Sequence, residues 1–397
     1  MTSLTIPTKI PRKKYMMVAP THYSIQYDLN PWMRDNIGKV DRALAARQWQ
    51  NVYDTCSRLA DVSLIEQPPE YCYDAVFANN AGFFIFDTFL PSRFRHTERA
   101  SEERIFLNWA RSQKYKIASY NAQSNPRYVV SFEGAADLLM KYTTLAPNHD
   151  WTTCRNVSCE FNPFGSVSEY FILGIGPYAR TTVNMAEIIK SRIVEGDDVG
   201  FNMRVRAVEL TDPLFFNLDM CMMTLESGIT LAHRPAIRTE IKTPDFVYKM
   251  PPLGYMPRYL AGSMANATLP GWDTMMHGEI PDPYFIDVGA EDARALACNS
   301  INIGEYMIMP KISSALARKI ESFGYHVIQH DVSEFIKSGG GVRSLALELF
   351  RHAPAGYPRS HAWFNYMGAP YEDHQEGQQI RPWIPPKDDD VGQDDVV

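Results

Sequence analysis

The sequence predicts an α/β fold. Short apolar runs of strand length alternate with longer segments in which apolar residues recur at helical spacing. Gly, Pro, Asn and Asp mark many of the joints, and 45% hydrophobic residues in 397 suffice to bury a sizeable core. Periodicity by itself suggests a doubly wound sheet.

Tyr15–Val18 reads as the first strand. Asp41–Ala60 reads as a helix, because Leu44, Trp49, Val52, Tyr53 and Leu59 recur near helical spacing. Ala75–Phe77 and Phe83–Phe86 read as strands about the turn Asn79-Asn80-Ala81-Gly82. Ser101–Lys114 is predicted helical, with Ser101 as N-cap and Glu102 and Glu103 where the helix dipole favours acids. Further on, Thr181–Ile193 reads as a helix, Arg204–Val208 as a strand, Asp292–Ala297 as a short helix and Tyr306–Met309 as a strand. Lys311–Ser322 is a helix closed by Phe323-Gly324, after which Val327–Ile328 is extended.

Pro/Gly-rich, aperiodic segments occupy Tyr142–Val167, Arg234–Pro283 and Ala353–Val397. The last ends in an acidic run but carries Trp363, Phe364, Tyr366, Tyr371 and Trp383, residue types favoured as anchors at protein interfaces. A net charge of -7 argues against nucleic acid as the main partner. No apolar run of about 18 residues exists, so no transmembrane segment is expected. Met1–Tyr15 carries Lys9, Arg12, Lys13 and Lys14 without an apolar run; it is no secretory signal and leaves a short mitochondrial targeting role open. The six cysteines show no metal-ligand spacing, and neither do His22, His96 and His233. We therefore expect reduced, mostly buried thiols in an intracellular protein with no metal and no cofactor. Gly339-Gly340-Gly341 is not followed by the Lys-Ser/Thr of a phosphate loop, and the sequons at Asn156 and Asn266 mean little without secretion.

The most informative stretch is Lys337-Ser338-Gly339-Gly340-Gly341-Val342-Arg343-Ser344-Leu345-Ala346-Leu347-Glu348-Leu349. It resembles the C-terminal signature of the guanidino-group-modifying enzymes: arginine deiminases, dimethylarginine dimethylaminohydrolases, arginine dihydrolases and amidinotransferases. There a Gly-rich turn presents a nucleophilic Cys, roughly as SGGGVRCLTLEL. Further blocks are similar to the family in the expected order. They are Ala19-Pro20-Thr21-His22-Tyr23 through Tyr27-Asp28-Leu29-Asn30-Pro31-Trp32-Met33, Asp74 to Gly82 (family DxVFTANAG), Ser92 to Arg99 (SRFRHPER), Phe132 to Asp137 (FEGEGD) and Asn299 to Gly304 (NAVNIG).

The resemblance implies a five-bladed α/β propeller, the pentein fold, with ββαβ units about a pseudo-fivefold axis. It spans residues 15–350, with a short extension over 1–14, insertions near 142–167 and 234–283, and a C-terminal extension over 351–397. It also implies an axial site in which a Cys attacks the guanidinium carbon, a His shuttles protons and carboxylates hold the cation. Here the pattern departs at four places. Asn217 stands where the family's FYHLDTCL block has His, and Ser344 stands at the Cys position. Ala135 replaces an acid of FEGEGD, and Gly174 to Asn184 departs from the Arg, Asp and His of GYGFRTD…AH. Asp74, Asn79, Glu133 and Asp219 are retained and would line the pocket; alternatively Asp74 and Asn79 close a tight turn and Glu133 pairs with an Arg such as Arg93.

Three functions follow as expectations. The first is a catalytically inactive, amidinotransferase-like or dimethylarginine-hydrolase-like protein serving as a structural subunit, contacting other protein subunits through the insertions and the C-terminal extension. The second is a hydrolase or amidinotransferase working with Ser344 or Cys221. The third is a binder of arginine-like ligands through Asp74 and Glu133. Analogy with eukaryotic relatives implies a mitochondrial setting, with the cytoplasm as alternative.

Overall fold

The structure, a computed structural model, describes residues 12–85, 88–118, 126–127, 129–141, 170–189, 204–225, 229–238 and 285–349. Within them one plan recurs in five separate sheets: a strand that is antiparallel to one neighbour and, across a crossover, parallel to the other. β1 (Lys14–Val18) lies antiparallel to β16 (Ala346–Leu349) and parallel to β2 (Asp61–Ile65), across α1 (Arg42–Leu59). β3 (Gly82–Ile85) and β4 (Thr88–Pro91) form a hairpin, and α2 (Glu102–Ser112) carries the chain to β5 (Lys116–Ile117), parallel to β4. β6 (Leu138–Lys141), β7 (Tyr170–Ile175), α3 (Asn184–Ile189) and β8 (Arg204–Leu210) repeat the plan, and β11 (Ile237–Arg238) extends that sheet. β9 (Met222–Thr224), β10 (Thr230–Ala232) and β12 (Phe285–Asp287) form the fourth sheet. After α4 (Ala290–Arg294), β13 (Ile301–Ile303), β14 (Tyr306–Pro310), α5 (Ser314–Glu321) and β15 (His326–His330) form the fifth, and α6 (Ser333–Ile336) leads into the glycine-rich turn.

The fold is therefore α/β with mixed sheets, not the doubly wound sheet that periodicity suggests. A hairpin needs only a tight turn whereas a parallel pair needs a crossover. Setting an antiparallel partner beside each parallel pair interrupts the parallel run, and each sheet stops at three or four strands.

Local chemistry explains the helices. In α1 the Asp41 carboxylate accepts from the Leu44 N–H at 2.9 Å, and Ala45, Trp49, Val52 and Cys56 bury one face. In α5 Ser313 caps Leu316, and Gly324, at φ +91°, reverses the chain beyond the helix. α2 corrects the sequence reading: Ser101 has helical dihedrals, makes no cap bond and faces the Cys72 thiol at 3.4 Å. The first-turn acids serve tertiary contacts instead, Glu102 pairing with Arg99 and Glu103 accepting from the Phe94 N–H at 2.9 Å. α3 begins at Asn184 rather than Thr181, because the Thr181 and Thr182 hydroxyls bond to Asp137 and to the Ser131 backbone. α4 ends early, since Leu296 turns left-handed at φ 59°.

Ala75–Phe77 is not a strand. Its backbone bonds locally (Phe77 N–H to Asp74 O, Asn80 N–H to Phe77 O), entering the 3-10 turn Ala78–Ala81. The apolar run is buried in the core rather than in a sheet, a distinction that periodicity does not make for short runs. Residues 1–11, Tyr142–Val167, Ala353–Val397 and Arg234–Pro283 beyond Arg238 lie outside the described residues, as do Cys154, Cys159, Asn156 and Asn266. Arg234–Ala236 forms a 3-10 turn running into β11.

One glycine is required by the inner turns. Gly134 sits at φ +61°, and a Cβ there would come within 2.5 Å of the Gly82 carbonyl oxygen. Gly134→Ala is expected to lower stability by about 2–4 kcal/mol, combining left-handed strain with overpacking against backbone. A shift of the urea midpoint checks this.

Candidate functional site

A tight turn precedes the first strand of each sheet, and these turns deliver one connected set of buried polar side chains. They are Ala78–Ala81 before β3, Gly134–Ala136 before β6, Leu218–Met220 before β9, Asn299-Ser300 before β13 and Arg343–Leu345 before β16. Glu133 lies at the hub, fully buried. Its Oε2 accepts from Asn80 Nδ2 at 3.1 Å, Asn217 Nδ2 at 3.3 Å and Arg180 Nη1 at 3.3 Å. Asp137 accepts from Thr181 Oγ1 at 2.6 Å, Asn217 Nδ2 at 3.1 Å and the Leu218 N–H at 3.0 Å. Asp219 accepts from Asn79 Nδ2 at 2.9 Å and faces Arg343 Nε at 4.0 Å.

Asp74 belongs to an adjoining cluster. Tyr27 donates its hydroxyl to Asp74 Oδ2 at 2.7 Å; Arg99 reaches the same oxygen at 3.9 Å and grips Glu102 with two of its nitrogens. Two carboxylate oxygens, Asp74 Oδ1 and Glu133 Oε1, are buried without a hydrogen-bond partner.

Burial dominates the electrostatics. It pushes Asp137 up to about 8, helped by the neighbouring Glu133 charge and opposed by three donated hydrogen bonds. It pushes Asp219 up to about 7 against Arg343 and Asn79, and Glu102 up to about 7 against Arg99. Asp74 is raised by burial as well. Glu133 is the exception: burial acts upward, but Arg180 and Arg99 outweigh it and hold its carboxyl below the usual range. Half-buried His96 is lowered to about 4 by burial, with the Arg180 charge acting the same way.

The expected residues thus meet in two groups. Asn79 and Asp219 bond directly, Glu133 joins through Asn80 and Asn217, and Asp74 stands with Arg99 and Tyr27. The partner of Glu133 is Arg180, not Arg93, whose backbone pairs with Phe132. Arg180 also stacks on the Phe216 ring at 4.0 Å, so the Gly174–Asn184 segment does supply an arginine. Two extra residues between Gly176 and the Arg180-Thr181 pair, relative to GYGFRTD, hid the match. Sequence reasoning also missed Asp137, Asn80 and Asn299, of which the Asp and the Asn pair sit inside motifs already noted.

The positions expected to carry chemistry are tied into static contacts. Both the N–H and the hydroxyl of Ser344 donate to Asn299 Oδ1, at 2.9 and 3.1 Å. An amide oxygen takes no proton from a hydroxyl, so this contact orients Ser344 without activating it. Asn217 spends its amide N–H groups on Glu133 and Asp137. Cys221 is fully buried, lies 3.5 Å from Leu218 O, and burial raises its thiol well above the ordinary value. Cys56, Cys72 and Cys298 are buried free thiols too. Among the described residues no His, Cys, Asp and Glu group is placed to hold a metal ion. The acids stand around two arginines, Arg99 and Arg180, and of their oxygens Asp74 Oδ1 and Glu133 Oε1 remain open to a further donor.

No family model matches the chain. It is 26% identical over 338 residues to the bifunctional arginine dihydrolase/ornithine cyclodeaminase AgrE of Nostoc, covering 85% of this chain and 38% of that protein. It is equally identical over 338 residues to the N(G),N(G)-dimethylarginine dimethylaminohydrolase of Mycobacterium tuberculosis, with 85% of this chain and 86% of the relative covered. The chain thus spans about two fifths of the bifunctional relatives' length. Among solved structures, a mutant AgrE in complex with L-arginine superposes with a TM-score of 0.65 at 25% identity, over 87% of this chain and 40% of that one. The N-terminal domain of ArgZ, an arginine dihydrolase bound to substrate, gives 0.62 at 26% identity, over 85% and 98%.

Proposed function

This chain belongs to the guanidino-group-modifying superfamily, and we propose that it is a non-catalytic member kept as a structural or assembly subunit of a larger protein complex. One observation carries the reading. Asn217 and Ser344, at the positions of the proton shuttle and the nucleophile, are locked by carboxylate and amide partners. Among the described residues no histidine bonds to either. A guanidinium is a resonance-stabilised cation, and displacing its amine takes both an activated nucleophile and a proton donor for the leaving group. Among the described residues neither is assembled.

On this reading the five sheets are the blades of a propeller about a pseudo-fivefold axis. Its support is a cavity lined by Phe83, Met140, Met223, Ile301 and Ala346, one residue from each sheet. The partners are other protein subunits, contacted through the insertions and the aromatic-bearing C-terminal extension, and the setting is mitochondrial by analogy. Asp74 Oδ1 and Glu133 Oε1 favour a second reading, a non-catalytic binder of arginine-like cations. Catalysis through Ser344 or Cys221 has the least support, because among the described residues neither bonds to a base and Cys221 is sealed in the core.

Native gels and co-purification from the source cells test the proposal, together with assays for ammonia or dimethylamine release from L-arginine and dimethylarginine. We expect migration in a stoichiometric assembly well above the 45.2 kDa chain and no turnover. Measurable turnover by the unmodified chain, or a free monomer in cells, would overturn it.

A further inference from the structure

The cavity shared by the five sheets has a charge character that the candidate site does not explain. Its polar lining is Lys13, Tyr15, Asn79, Thr224, Asn302, Arg343 and Glu348; Asp74, Glu133, Asp137 and Ser344 are not among its walls. Lys13, only 7% exposed, is accounted for: its ammonium lies 2.8 Å from Glu348 and 3.1 Å from the Asn302 carbonyl. Arg343 is not. Its side chain is 18% exposed, its Nε is buried without a hydrogen-bond partner, and its nearest carboxylate, Asp219 Oδ2, lies 4.0 Å away. Asp219 is already held by Asn79. A guanidinium presents five donors in a planar fork, and leaving them unmet in a half-buried cavity carries a desolvation penalty. With Glu348 neutralising Lys13, Arg343 is the lining charge with no counter-charge in the cavity wall, since Asp219 stands behind that wall at the limit of ion-pair distance.

We propose that this axial cavity is a binding site for a small carboxylate-like anion, seated on the Arg343 fork. A carboxylate matches the fork in geometry and charge. The apolar remainder of the lining (Phe83, Met140, Met223, Ile301, Ala346) excludes water from the contact and admits a short aliphatic group. The cavity adjoins the candidate site through Asn79, Ala135 and Arg343, but none of Asp74, Glu133 and Asp137 lines it, so the two can be tested apart.

The test uses the full chain with 13C-acetate as probe, ionic strength being held constant with sodium fluoride. We expect saturable broadening of the acetate resonance and a matching rise in Tm. Arg343→Gln is expected to weaken binding by about tenfold or more, as loss of a charged hydrogen-bonding partner does. Arg234→Gln, which removes an exposed arginine paired with Asp287, should bind like the parent. Should Arg343→Gln fail to fold, Glu348→Gln serves: it removes the lining acid and releases Lys13, and should tighten acetate binding. Equal broadening in the parent and Arg343→Gln, no saturable binding in the parent, or unchanged affinity in Glu348→Gln would each overturn the proposal.

Discussion

Arg180→Met is expected to destabilise the fold by about 3–5 kcal/mol at pH 7, the range found when one partner of a buried ion pair is removed. The magnitude follows from what stays behind. Glu133 is fully buried, and Arg180 and Arg99 are the chief influences that hold its carboxyl ionised against burial. Without Arg180 the charge keeps only two amide donors, Asn80 and Asn217, beside the Asp137 carboxyl. Glu133 would answer by binding a proton, so the loss should shrink as the pH falls. Two controls separate charge from packing. Arg180→Met/Glu133→Gln removes the orphaned charge while keeping its shape, and should recover at least half of the loss. Glu133→Gln alone leaves Arg180 with its stack on Phe216 and a contact to the Leu29 carbonyl, and should cost less than Arg180→Met. Urea unfolding of the four proteins decides the matter; an Arg180→Met midpoint equal to the parent's would show that the pair contributes nothing.

That Arg180 matters was not readable from the sequence, although Glu133 was. The reason is physical. Motif order locates turns, because each turn is local and its glycines and asparagines are fixed in number; a salt bridge between Glu133 and Arg180 depends on how two neighbouring sheets pack. Counting residues along Gly174–Asn184 misplaced the arginine by two, and spacing cannot correct for a longer loop. The helices were legible wherever capping and periodicity agreed, as at Asp41 and Ser313. They failed where a side chain had a better tertiary partner, as with Ser101 and the Thr181-Thr182 pair. Fold class was legible from strand–helix alternation, but the antiparallel strand in each sheet was not, since β3, β6, β9 and β13 are only three or four residues long. Asn217 and Ser344 were singled out in the sequence by the resemblance, and the structure adds which groups hold them.

The same buried acids make stability depend on pH in an unusual direction. Glu102, Asp137 and Asp219 have folded pKa values raised to about 7, 8 and 7, above unfolded values near 4. Across that window the folded chain holds protons that the unfolded chain has released. The stability they contribute is therefore complete below about pH 4 and lost as the pH rises through the folded values, at ~1 kcal/mol per pH unit for each such acid. Glu133 acts oppositely: its folded value is depressed, so its contribution is present above its unfolded value and lost only in acid. Three raised acids outweigh the one depressed acid as soon as the pH passes their unfolded values, so the maximum lies near pH 4, and Tm at constant ionic strength should fall from about pH 4 to pH 8. Most globular proteins whose carboxylates are paired at the surface show little slope there. Asp137→Asn isolates one term, because the amide cannot ionise and the Thr181 hydroxyl can reverse to accept from it. The variant's curve should be flatter by about one proton, leaving it the more stable of the two at pH 8 even if it is the less stable at pH 5. Parallel curves for parent and variant would mean that Asp137 is ionised throughout. The three hydrogen bonds it accepts would then outweigh its burial, and the hub around Glu133 would carry one more negative charge with which to hold a cation.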